Sequence, residues 1–157
     1  MPGSGRLIII CGLPGAGKTT LAKRLAEHLD ASIYSPDDWM DALGIDLWDT
    51  AMRKGIEDLQ WRQAQDLLRL GGTAIIEWGT WGRSERDMLR EGARALGAKV
   101  ELHFVDAPLE TLFQRTSARG RENPPLTLED LRAYSAAIQR PDEAEFALYD
   151  PASEPLP

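Results

Sequence analysis

Ile10-Cys11-Gly12-Leu13-Pro14-Gly15-Ala16-Gly17-Lys18-Thr19-Thr20 is the stretch that decides the fold of this chain. Gly12 to Thr19 fits G-x-x-x-x-G-K-[ST], and its context is right on both sides. The apolar run Leu7-Ile8-Ile9-Ile10-Cys11 enters it as a fully buried strand. Leu21-Ala22-Lys23-Arg24-Leu25-Ala26-Glu27 leaves it as a helix, with Leu21, Leu25 and Leu29 at helical spacing. Strand, glycine-rich loop and helix in that order make a phosphate-binding loop. Glycines let backbone N–H groups turn inward and approach phosphate oxygens closely. A helix starting near Gly17 adds the positive end of its dipole. Lys18 supplies a point charge for β- and γ-phosphates, and the Thr19 hydroxyl is the expected metal ligand. The expected nucleotide-binding set is Gly12, Leu13, Pro14, Gly15, Ala16, Gly17, Lys18, Thr19 and Thr20, with ATP and Mg²⁺ as cofactors.

Outward from the loop, strands alternate with helices. Further strands are expected at Ala31–Tyr34, Thr73–Trp78 and Lys99–Asp106. Helices are expected at Trp39–Leu43, Thr50–Leu70 with Thr50 as cap, Ser84 to before Gly97, Pro108–Ala118 and Thr127–Gln139. This predicts an α/β, three-layer P-loop NTPase fold with a central, mainly parallel sheet of four to five strands. Residues 1–157 read as a single domain, with a flexible start (1–6), a lid region (107–126) and an acidic, proline-rich tail (141–157).

A net charge of −7 over 157 residues disfavours a broad nucleic-acid surface. The single Cys11 excludes an intramolecular disulfide. No apolar run approaches the ~20 residues that span a bilayer, so no membrane partner is expected and the expected location is cytoplasmic. His28 and His103 show no metal-ligand spacing.

In an open parallel sheet, ligands collect at the carboxyl ends of the strands. Those ends hold Ser35–Asp38, Glu77–Trp81 and Asp106–Pro108. Phosphoryl transfer to a hydroxyl needs a carboxylate that orients the acceptor and takes its proton. Asp37 and Asp38 serve either as helix caps or as that base, with Asp37 preferred as base and Asp38 as a substrate contact. Glu77 suits either a metal-bound water or the acceptor. Trp39, Trp48, Trp78 and Trp81 suggest an apolar or stacking pocket, with Trp39 and Trp81 the expected substrate contacts. Arg115 and Arg119 share a helical face and can close on the triphosphate, Arg115 in a catalytic role beside Lys18; Arg121 follows them. Glycine, asparagine and prolines after these arginines favour a mobile lid.

These residues together resemble the small P-loop kinases related to the kinase domain of phage polynucleotide kinase, with zeta-toxin-like and chloramphenicol phosphotransferase-like proteins as more distant relatives. The resemblance runs from Leu7 to about Ile138. The loop is similar to that family's Cys-Pro-Gly-Ser-Gly-Lys-Ser-Thr. Ser35-Pro36-Asp37-Asp38-Trp39 is similar to its Asn-Arg-Asp-Asp-Tyr, whose first aspartate is the general base, which implies that role for Asp37. Glu110 to Gly120 is similar to its lid helix, which implies phosphate contacts for Arg115 and Arg119. The acceptor half departs: Met40 stands where polynucleotide kinases place an arginine, and Glu77-Trp78-Gly79-Thr80 stands where they carry Asp-Thr-Asn.

The resulting expectation is an ATP-dependent phosphotransferase acting on a hydroxyl of a small-molecule acceptor. A polynucleotide 5′-hydroxyl kinase and a nucleotide-dependent switch are the alternatives. Nucleic acid is a disfavoured partner, and no obligate protein partner is evident.

Overall fold

The computed structural model describes residues 4–154. The chain runs β1 (Arg6–Cys11), α1 (Lys18–Leu29), β2 (Ser32–Tyr34), α2 (Pro36–Leu43), α3 (Thr50–Arg69), β3 (Thr73–Gly79), α4 (Arg83–Ala95), β4 (Lys99–Phe104), α5 (Leu109–Arg119), α6 (Leu128–Ala137) and α7 (Glu143–Phe146). The four strands form one parallel sheet in the order β2-β3-β1-β4. Arg6 to Cys11 pair in register with Lys99 to Phe104 on one side, and Arg6 to Ile9 with Thr73 to Ile76 on the other. The chain crosses from β3 over β1 to reach β4, so the carboxyl end of β1 lies at the point where the strand order reverses.

Central β1 is apolar on both faces because both faces are covered. Leu7, Ile9 and Cys11 join a core with Leu68 of α3, Leu89 of α4 and Leu131 of α6. Ile8 and Ile10 join Ala22 and Leu25 of α1 on the other face. All five of these β1 side chains are 0% exposed, and burial of such a side chain contributes about 1.5–3 kcal/mol. A smaller cluster of Met40, Leu47 and Ile56 sits between α2 and α3, with Trp39 against it.

Several boundaries differ from those expected. α2 begins at Pro36 rather than Trp39, because Ser35 is its cap and accepts from the Asp38 N–H. Proline at the first helical position completes that start. Capping by Ser35 leaves both aspartate side chains available for other work. Asp49, not Thr50, caps α3 by accepting from the Met52 N–H at 3.0 Å. α4 starts at Arg83 with no side-chain cap, and Asp87 pairs with Arg83 and Arg90 instead of closing a box with Ser84. The Thr127–Asp130 capping box forms as expected.

The described parts of both end segments are built into the fold. Gly5 is buried and Arg6 opens β1, so the flexible start does not extend to them; Met1–Gly3 lie outside the described residues. The acidic tail folds into α7 and buries Glu145 and Tyr149. Asp150 then accepts from the Val100 N–H at 2.8 Å, fastening the tail to β4; residues 155–157 lie outside the described ones. Among the described residues no helix is long and apolar enough to cross a membrane.

Candidate active site

Gly12 to Gly17 bridge β1 and α1. A Cβ at Gly12 would meet the Val105 carbonyl oxygen at 2.7 Å, so only glycine allows this close approach of loop and β4 exit. Gly15 and Gly17 hold φ of 82° and 111°, a region other residues rarely adopt. Gly17 occupies the N-cap of α1 with no side-chain cap, leaving the first-turn N–H groups to an incoming anion. The loop is anchored by hydrogen bonds from Gly12 N to Gly79 O at 3.0 Å and from Trp81 Nε1 to Gly12 O at 3.1 Å.

Above the loop opens a cleft of about 950 Å³. Pro14, Gly15, Gly17, Lys18, Thr19 and Thr20 form its donor side, while Gly12, Leu13 and Ala16 lie buried beneath. Lys18 Nζ donates to Leu13 O at 3.0 Å. Desolvation pulls its ammonium down to about 8, against the opposing pull of Glu77 and then Asp37. A lysine held this way lacks negative charge that a polyphosphate brings.

Thr19 Oγ1 donates to Glu77 Oε1 at 2.7 Å. That bond orients the hydroxyl so that its oxygen lone pairs remain for a hard cation. Burial holds the Glu77 carboxyl above its ordinary range, opposed by the Thr19 bond and the Lys18 charge. Among the described residues no group of three or more His, Cys, Asp or Glu could hold a metal alone. The Thr19 hydroxyl and the Glu77 carboxylate are oxygen donors, and they fit a hard cation such as Mg²⁺ that also takes phosphate oxygens.

Across the cleft stand Asp37 and Asp38, in the first turn of α2. Arg53 of α3 places Nη1 2.7 Å from Asp37 Oδ1, a charge contact off the hydrogen-bonding axis, and donates from Nη2 to Leu47 O. Arg121 reaches from beyond α5 to Asp38 at 2.9 Å and Asp41 at 2.6 Å, tying the segment after α5 to α2. Arg115 Nη1 donates to Gly15 O at 3.0 Å, and Arg119 lies 3.8 Å from Glu122; both line the cleft.

The expected aromatic wall is present with one exception. Trp48, Trp78 and Trp81 line the cleft, and Tyr134 of α6 stacks tilted on Trp81 at 4.9 Å. Trp39 does not line it: it packs between the main core and the Met40 cluster. Met40 itself is 0% exposed, so that helix position faces the core rather than an acceptor. Further charged or polar groups line the cleft beyond those singled out from the sequence, among them Arg53, Glu57, Thr80 and Glu85. The spacing of Arg53 and Glu57, four apart in the first turns of α3, is the signal that could have found two of them.

Behind the cleft, Arg86 is 0% exposed and forms a fork with Glu145 at 2.7 and 2.8 Å. It also donates to Thr80 O at 2.8 Å and Gln139 O at 2.7 Å. This network fixes the Thr80–Trp81 turn, in which Thr80 holds a φ of 42°.

The profile of the AAA_33 family, an AAA domain, matches residues 7–141. The chain is 27% identical over 148 residues to the thermosensitive gluconokinase of Escherichia coli, covering 90% of this chain and 76% of that protein. It is 32% identical over 148 residues to the shikimate kinase of Symbiobacterium thermophilum, covering 89% and 82%. A chain of the Pnkp1/Rnl/Hen1 RNA repair complex superposes with a TM-score of 0.69 at 20% identity over 87% of this chain and 45% of that one, which shows a shared fold. The chain belongs to the AAA_33 family and is a nucleotide-binding enzyme of the P-loop kinase class.

Proposed function

We propose that this protein transfers the γ-phosphoryl group of ATP to a hydroxyl of a small-molecule acceptor, with Asp37 as general base. The observation that carries the proposal is the juxtaposition of Asp37 and Lys18 across one cleft, close enough for the Asp37 charge to act on the Lys18 ammonium. A switch that only binds and releases nucleotide has no use for a carboxylate at that place.

Bound Mg²⁺ supplies neutralisation of β- and γ-phosphate charge. The protein's own groups do the rest. Thr19 and Glu77 hold the metal side of the loop. Lys18 and the loop N–H groups hold the phosphates, and Arg115 and Arg119 approach from the lid. Asp37 takes the proton of the acceptor hydroxyl as its oxygen bonds to the γ-phosphorus and the bond to the β–γ bridging oxygen breaks. ADP and a phosphomonoester leave.

The names of the relatives, a gluconokinase and shikimate kinases, support a small acceptor. The net charge of −7 and the buried Met40 weigh against an oligonucleotide, and cytoplasmic location follows only as an expectation of this reading. The test is Asp37→Asn. It is expected to bind ATP as the parent does and to lose transfer by about 10²–10⁴-fold. Unchanged transfer removes Asp37 from the role. A labelled-ATP screen over metabolites and short oligonucleotides identifies the acceptor class.

A further inference from the structure

The donor side leaves one wall of the cleft unused. Glu57 of α3 and Glu85 of α4 both line that wall. α3 and α4 touch at one close point: a Cβ at Gly92 of α4 would sit 2.7 Å from the Trp61 ring of α3. Glu57 lies four residues before Trp61 and Glu85 seven before Gly92. At about 1.5 Å per residue, both residues stand roughly 6–10 Å along their helices from that contact, on the side that lines the cleft, near enough for the charge of Glu85 to act on Glu57.

Neither carboxylate has a hydrogen-bond or salt-bridge partner among the described residues. Burial, and then the charge of Glu85, holds the Glu57 carboxyl up at about 7; Arg53 and Lys54 offset part of this. Burial also raises Glu85, against Lys54 and Arg86. These cations are engaged elsewhere. Arg53 is on Asp37, Lys54 is 2.7 Å from Asp58, and Arg86 is on Glu145. The pair is short of positive charge in a partly desolvated place.

The aromatic wall points the same way. Each cleft tryptophan has its N–H committed: Trp48 to Pro124 O, Trp78 to Gln60 Oε1, Trp81 to Gly12 O. Toward a ligand they offer ring surface and no donor, which suits a cation or an apolar group. Thr80, 2% exposed, lines the same cleft with an Oγ1 that has no hydrogen-bond partner. A buried hydroxyl left open in this way is a contact awaiting a ligand.

We propose that the acceptor is an amino alcohol or aminosugar, its protonated amine held by Glu57 and Glu85 against the tryptophan faces and its hydroxyl presented to Asp37. This rests on the reading of the cleft as an acceptor site. A carboxylate or phosphate in the same place would face two unpaired carboxylates while Arg53 and Arg121 are already paired. A neutral polyol would leave the repulsion between Glu57 and Glu85 in place. The amine stays protonated and is not the group phosphorylated.

The experiment is transfer from labelled ATP to matched acceptors of three charges: serinol, glycerol and glycerate, then glucosamine, glucose and gluconate, within a wider pool sorted the same way. The amino members are expected to exceed the others in kcat/KM by tenfold or more. Glu57→Gln and Glu85→Gln, close in shape to the parent residues, are expected to raise KM for the amine about tenfold each while kcat and ATP affinity hold. Preference for neutral or acidic members, or an amine KM unmoved in both variants, overturns the charge assignment and keeps the kinase. Intact ATP binding with transfer to no member of any class overturns both.

Discussion

Arg53 Nη1 lies 2.7 Å from Asp37 Oδ1, and so α3, separated from the phosphate loop by α1, β2 and α2, holds the aspartate that faces it. The side chains are 29% and 32% exposed, which limits the pair to at most about 1 kcal/mol of stability. Its effect is positional. Arg53→Met is expected to lower kcat/KM about tenfold with a melting temperature within about 2 °C of the parent, and Arg53→Lys to recover part of the loss. Steady-state kinetics beside calorimetry separate these effects, and a large loss of stability with normal kinetics contradicts the assignment.

The Thr19–Glu77 bond yields a second expectation. Glu77→Gln removes the negative charge and leaves the Thr19 hydroxyl only a neutral amide oxygen as its acceptor. Apparent Mg²⁺ affinity in the nucleotide complex is expected to fall about 10–100-fold, the usual effect of losing a group that orients a metal ligand. Nucleotide binding without metal is expected to change far less. Magnesium titrations with and without ATP make the comparison.

Lys18 makes nucleotide binding depend on pH. Its ammonium is held down to about 8 by desolvation, so it is charged below that pH and progressively neutral above it. Phosphates need the charged form, and their own charge restores it. Affinity is therefore expected to be flat up to about pH 8 and to fall above it, about tenfold between pH 7 and pH 9, with proton uptake on binding. Titration calorimetry in buffers of different ionisation enthalpy reads the uptake directly. Lys18→Met is expected to bind weakly at every pH and to abolish the dependence.

Arg86 and Glu145 test the tail. Their side chains are 1% and 2% exposed, so removing one partner strands the other in the core. Arg86→Met is expected to cost about 3–5 kcal/mol in urea unfolding. Arg86→Met combined with Glu145→Leu is expected to recover much of that. Equal destabilisation in single and double variants would mean that the bonds from Arg86 to Thr80 O and Gln139 O, rather than the ion pair, hold the tail.

The donor half of the site is determined by the sequence alone. Gly12 to Thr20 act through backbone shape and a helix start, which are local properties of a short stretch, and the flanking strand and helix declare themselves by periodicity. Asp37 is legible for a similar reason: it comes three residues after β2, at the same carboxyl-end side of the parallel sheet as the loop. Two of the boundaries that moved did so where capping residues competed, as Ser35 did with the aspartates and Asp49 with Thr50.

The acceptor half was decided by tertiary structure. Arg53 and Glu57 are two charges on a long helix, and only the placement of α3 in the fold brings them to the cleft. Trp39 and Trp81 look alike as aromatic residues near strand ends, yet the rotation of α2 sends one into the core, while the Thr80 turn sends the other over the loop. Glu145 is one acid among many in an acidic tail, and only Arg86, 59 residues away, makes it a buried anchor. Phosphate binding needs a continuous run of backbone, which a sequence displays. Acceptor recognition needs side chains from separate helices to meet, and that depends on how the helices pack.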